Sequence, residues 1–185
     1  MNNTLCVDSG QMAFIPTADT TEGAYGALLD VEPGQYDVFI ERRDEGSWGV
    51  RISAFAIAKA KIPRKCKEQI YVDTLNIKTN KIIVSDPCYI HQDEYGTSGP
   101  YDRACDATSN TKLMAGIYKL EDGSNAACSS TGFGDGSYPL HVECDTNGKV
   151  IYAEVRFIDE YENDEDDYCN DSYDDGYDDD SECCY

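Results

Sequence analysis

Between Gln35 and Ile52 the same residue spacing occurs twice, with turn formers in the middle. Tyr36, Val38 and Ile40 recur at every second position of QYDVFIER, the turn DEGS (44–47) follows, and Trp48, Val50 and Ile52 resume the period. Period two puts those side chains on one face of a strand, so the segment is expected to form a β-hairpin. Upstream, AYGALLDV runs into EPGQ, whose Pro33-Gly34 pair suits a type II turn, which predicts a three-stranded meander over residues 24–57. AFAIAKAKI, rich in alanine and lysine, reads as a short helical piece.

The second half has the same character. KIIV (81–84) and KLMAGIYKL (112–120) read as strands, and the turn DTNG (145–148) joins SYPLHVEC to KVIYAEVRFI as a hairpin. Pro139 suits an edge or first-strand position, since it brings no N–H to a ladder. LCVDSGQMAFI (5–15) and IIVSDPCYI (82–90) are alike enough to suggest an internal duplication, which implies two layers related by a pseudo-twofold. The expected fold is all-β with minor α: a two-layer, sandwich-like domain over residues 1–158, burying Trp48, Ile52, Val142 and Phe157.

Charge separates a second region. The chain has 185 residues and a net charge of -21, and residues 159–185 hold 14 acids and no base. The rest carries 22 acids against 15 bases, a mildly acidic body with an intensely acidic tail. A basic face is what nucleic acid or an anionic membrane needs, so direct binding to either is not expected. No apolar run is long enough to span a bilayer, and MNNTLCVDSG has neither the charged nor the apolar part of a signal peptide, which suggests a cytoplasmic protein. Nine cysteines without a CxxC pair argue against a zinc site, and the lack of an export signal favours reduced thiols, with Cys6, Cys88 and Cys144 read as small buried apolar residues.

VDSGQMAFI (7–15), SWGVR (47–51), VSDPCYI (84–90) and GFGDGSYPL (132–140) together resemble a family of small β-rich proteins of unknown function found in bacteriophage and bacterial genomes. The GDGSYP segment is the most specific part. The SDPCY-like and DSGQ-like segments stand here in the reverse of that family's order. The resemblance implies a β fold and a phage setting, in a host cytoplasm, but no activity.

Catalytic motifs are absent: there is no GxSxG, HExxH or GxxxxGK[ST], and a strand rather than a helix follows GFGDG. Three turn aspartates, Asp8, Asp86 and Asp135, form a candidate pocket for a small molecule, a nucleotide or metal-assisted hydrolysis. Read plainly, they are ordinary turn formers. In the tail, Asp171, Asp175, Asp179 and Glu182 fall on a loose calcium-loop pattern, but Tyr173 holds a position that wants a carboxylate. No cofactor is expected beyond weak calcium binding there.

The tail also interleaves tyrosines with its acids. Tyr168, Tyr173, Asp174, Asp175, Tyr177, Asp178, Asp179 and Asp180 can imitate a nucleic-acid strand, carboxylates standing for phosphates and rings for bases. Such a tail suits a non-enzymatic protein that binds and inhibits a host defence or nucleic-acid-processing protein with a basic surface. A solubilising tail, one folded back on the Lys59–Lys81 region, and a virion or surface structural role are the alternatives.

Overall fold

The structure is a computed structural model, and it describes residues 4–16, 25–60, 70–90, 99–109, 112–120 and 122–159. Its elements are β1 (Thr4–Val7), β2 (Gln11–Ile15), β3 (Ala27–Asp30), β4 (Gly34–Asp44), β5 (Val50–Lys59), β6 (Ile70–Ile77), β7 (Lys81–Ser85), α1 (Pro87–Ile90), α2 (Pro100–Ser109), β8 (Ala115–Lys119), β9 (Asn125–Ser130), β10 (Gly136–Cys144) and β11 (Val150–Arg156). They form two antiparallel sheets. Sheet A runs β1-β4-β5-β11-β10-β6 and sheet B runs β3-β2-β7-β9-β8. Leu5, Phe14, Ile52, Phe55, Ile82, Leu140 and Val155 are among the side chains buried between them, so the expected all-β sandwich is present. Ile52, Val142 and Phe157 are in that core as expected.

Trp48 is not. It is 66% exposed and lies in a 3-10 turn over Gly46–Trp48, ahead of β5. The reason is local. The β4–β5 register slips between Glu41 and Arg42, opposite Ala54 and Ile52, so the alternation inside β5 does not extend back through the turn.

AFAIAKAKI is strand rather than helix as far as Lys59. Phe55 and Ile57 alternate with Ala54, Ala56 and Ala58, and ladders to β4 on one side and β11 on the other outweigh alanine's helical preference. The meander is also corrected, because β3 pairs with β2 in sheet B while β4 and β5 belong to sheet A. Val31 makes the crossing: its N–H donates to the Gly10 carbonyl at 3.0 Å, and it bridges Val150 of sheet A. Pro139 is not in an edge strand, since β10 lies between β11 and β6. Pairing with β11 starts only at Leu140, however, so Pro139 sits where β10 has one neighbour. The two segments whose likeness suggests a duplication play different parts: the first divides into β1 of sheet A and β2 of sheet B, and the second is β7 followed by α1.

Helix α2 adds a third layer on the outside of sheet B. Ala104 packs there with Ala13, Ile15, Ile83, Ala126 and Cys128, leaving sheet B buried on both faces. That is why β2, β7 and β9 read as unbroken apolar or small runs instead of alternating ones. The approach is close: the Cys128 thiol lies 3.8 Å from the Ala104 carbonyl, and a Cβ added at Gly116 would sit 3.6 Å from the Ala107 carbonyl.

Candidate functional site

The three turn aspartates do not share a pocket. Asp86 is fully buried and its carboxylate is occupied: Oδ2 accepts the N–H groups of Asp8 and Ser9, both at 2.8 Å, and Oδ1 accepts the N–H of Cys88 at 2.8 Å. It caps α1 and ties down the β1–β2 turn. Asp8 joins this cluster by accepting the Tyr89 hydroxyl at 2.7 Å, and that bond pushes the phenol up to about 12. Asp135 is elsewhere. It accepts the N–H of Asn80, just before β7, whereas Asp86 follows β7, a separation of roughly 20 Å along an extended strand. All three are turn formers in place, and Asp135 cannot join Asp8 and Asp86 in one reaction.

The tail residues Tyr168, Asp171, Tyr173, Asp174, Asp175, Tyr177, Asp178, Asp179, Asp180 and Glu182 lie outside the described residues. Among the described residues no His, Cys, Asp and Glu side chains group as a metal-binding set, and no helix is long and apolar enough to cross a membrane. Cys6, Cys105, Cys128 and Cys144 are free thiols. Cys128 is the buried one, and burial pushes its thiol up to about 12, which makes it a packing group rather than a nucleophile. Cys6 and Cys144 are only half-buried and Cys88 is exposed, contrary to the sequence-based expectation for these three: Cys6 points away from the core between buried Leu5 and Val7, Cys144 ends β10 and Cys88 lies in α1.

A site that the sequence reading passed over lies on the outer face of sheet A. Directly paired residues share a face, so the ladders define rows across the sheet. One row runs Phe39, Ala56, Glu154, His141 and Tyr71. Flanking rows hold Glu41, Ala54 and Arg156 on one side and Asp37, Ala58, Tyr152 and Glu143 on the other. Alanine fills every second position of the central strand while its neighbours carry long side chains. The result is a shallow groove of about 240 Å³, floored by Ala54 and Ala56 and walled by Phe39 and Glu41 from β4 and Tyr152 and Glu154 from β11.

The walls are acidic and aromatic. Glu154 is only 6% exposed; it accepts the Tyr152 hydroxyl and the Arg156 guanidinium, Nη2 at 2.7 Å and Nε at 3.0 Å. Arg156 also lies 3.8 Å from Glu41. Two carboxylates therefore share one guanidinium, and Asp37 and Glu143 add negative charge in the next row. At this volume, below the usual size of a cofactor site, the groove has room for about one side chain. Its sequence signal was the period-two alanine of Ala54, Ala56 and Ala58, since alanine is depleted on strands.

The chain matches no protein-family model, no curated protein and no solved structure.

Proposed function

We propose that this chain is a non-enzymatic interaction protein, of the phage-encoded type that its sequence resembles, which binds and inhibits a host protein with a basic surface. The observation that carries the reading is the alanine-floored acidic groove on sheet A, on the face opposite the core, while the described helices pack on sheet B. The acidic tail supports it independently: 14 acids without a base attract a basic surface over roughly 8–10 Å at physiological salt and speed encounter. The groove supplies short-range contact, and the tail supplies long-range attraction with its tyrosines available for stacking.

The test uses the full chain in three forms, wild type, Ala56→Arg in the groove, and a tail variant with Asp174, Asp175, Asp178, Asp179 and Asp180 changed to Asn. Each is used to capture protein from host lysate over a salt series. The reading expects one basic protein retained by the wild type, a slower on-rate for the tail variant and a faster off-rate for Ala56→Arg. Retention of that protein unchanged by both variants overturns it.

A further inference from the structure

The SWGVR and GFGDGSYPL segments meet in space, away from the groove and unexplained by it. Trp48, the only tryptophan in the chain, is 66% exposed, and Phe133 is 53% exposed. Their rings meet edge to face with centroids 6.1 Å apart. Leaving two large rings in water contributes little to folding, and such residues are the usual anchors of interfaces.

The backbone of both loops is held in place. Around Trp48, Glu45 donates its N–H to the Gly49 carbonyl at 3.1 Å and Trp48 donates to the Glu45 carbonyl at 3.2 Å. Arg51 Nε donates to the Trp48 carbonyl at 2.9 Å, and Gly49 takes φ of 71°. Around Phe133, Thr131 donates to the Asn80 side-chain oxygen at 2.7 Å and the Tyr138 hydroxyl donates to the Gly134 carbonyl at 2.8 Å. Gly132 is seated on the core so tightly that a Cβ there would lie 2.8 Å from the Ile52 carbonyl. A loop backbone ordered in advance lowers the entropy lost on binding.

We propose that the Trp48–Phe133 pair anchors an arginine side chain on an extended basic segment of the partner. The guanidinium stacks on the indole, with the carboxylates of Asp44, at the end of β4, and Asp135, beside Phe133 in sequence, drawing it in. This rests on the basic-partner reading above and adds the residue type at its centre. Charge decides the occupant: the chain carries -21, so a second copy is repelled, and the exposed acids Asp44 and Asp135 face a partner that supplies cations. Of the nearby guanidinium groups, Arg43 pairs with Glu45, Arg51 is held by the Trp48 carbonyl and Arg42 is exposed. Planar guanidinium stacks on aromatic faces better than ammonium does.

The experiment uses the full chain at low salt and an acetylated peptide of alternating glycine and arginine as the probe. Trp48 emission reports the site, because no other tryptophan contributes. The expected result is a saturable change in that emission and, by calorimetry, an affinity about three- to thirtyfold lower for Trp48→Ala and for Phe133→Ala. Both variants keep the wild-type melting temperature, and the peptide with lysine binds more weakly. Replacing arginine by citrulline, planar but neutral, abolishes binding. If Trp48→Ala binds the arginine peptide as well as wild type does, the anchor is overturned while attraction to a basic partner stands. If the peptide does not bind wild type at all, both readings fail. Equal binding of the citrulline peptide overturns the cationic occupant.

Discussion

The outer faces of the two sheets begin from the same device and end differently. On sheet B, Ala13, Ala126 and Cys128 keep the surface low, and α2 lies down on it through Ala104. On sheet A, Ala54 and Ala56 keep the surface equally low, but the room is left as a groove between acidic and aromatic walls. Small residues on a strand only make space. Where α2 fills the space, the gain is stability; where the described residues line a groove with Glu41, Glu154, Phe39 and Tyr152, the proposed reading seats a partner's side chain.

Two neighbours in β5 give the strongest test of that contrast. Phe55 points between the sheets and is fully buried, whereas Ala56 points into the groove. Phe55→Ala is expected to cost about 3–5 kcal/mol, the range for emptying a large aromatic site in a core, as read by chemical denaturation. A loss below about 1 kcal/mol would place the core elsewhere. Overfilling the covered face comes next. Ala104→Leu forces extra volume between α2 and sheet B and is expected to cost about 1–3 kcal/mol.

Alkaline pH sharpens the comparison without mutation. The buried Cys128 thiol is pushed from an ordinary 9.0 up to about 12, and burial together with Glu32 pushes Tyr36 from 10.0 up to about 12. A folded-state value raised above the unfolded one stabilises fully below the unfolded value and is lost as pH rises through the folded value. These contributions are therefore intact below pH 9 and fade between about pH 9 and 12. Melting temperature followed over that window is expected to fall, and Cys128 is expected to resist alkylation at pH 9 while the half-buried Cys6 and Cys144 react. Rapid labelling of Cys128 in the folded protein would mean that the α2 layer opens easily.

How legible the molecule was follows the same division. Strands with one wet face, such as β4 and the β10–β11 hairpin, announce themselves by period two. β9 does not: Asn-Ala-Ala-Cys-Ser-Ser carries no alternation, because helix and core bury both its faces. Helix α2 was missed for the complementary reason. Its buried side is Ala104 and Thr108, too small to mark an apolar stripe. β6 was missed because Ile70, Tyr71 and Val72 lie exposed at a sheet edge, outside any in-and-out pattern. The groove was hidden in plain view, since alanine at 54, 56 and 58 suggests a helix until the ladders to β4 and β11 fix the period. The turn aspartates were legible as turn formers, but only the fold could say that β7 holds Asp135 away from Asp8 and Asp86.

The smallest expected effect is the most informative about function. Ala56→Leu puts a branched side chain onto the groove floor, where the space between Phe39 and Glu154 is open. The groove of about 240 Å³ is to take the added side chain, so the change in stability is expected to stay within about 0.5 kcal/mol. That sets it against Ala104→Leu, the same substitution made under α2. If the two variants lose stability alike, the groove is as tightly filled as the helix seat, and sheet A has no open face. If Ala56→Leu folds as well as wild type yet releases its captured partner faster, the room above the alanines belongs to the partner.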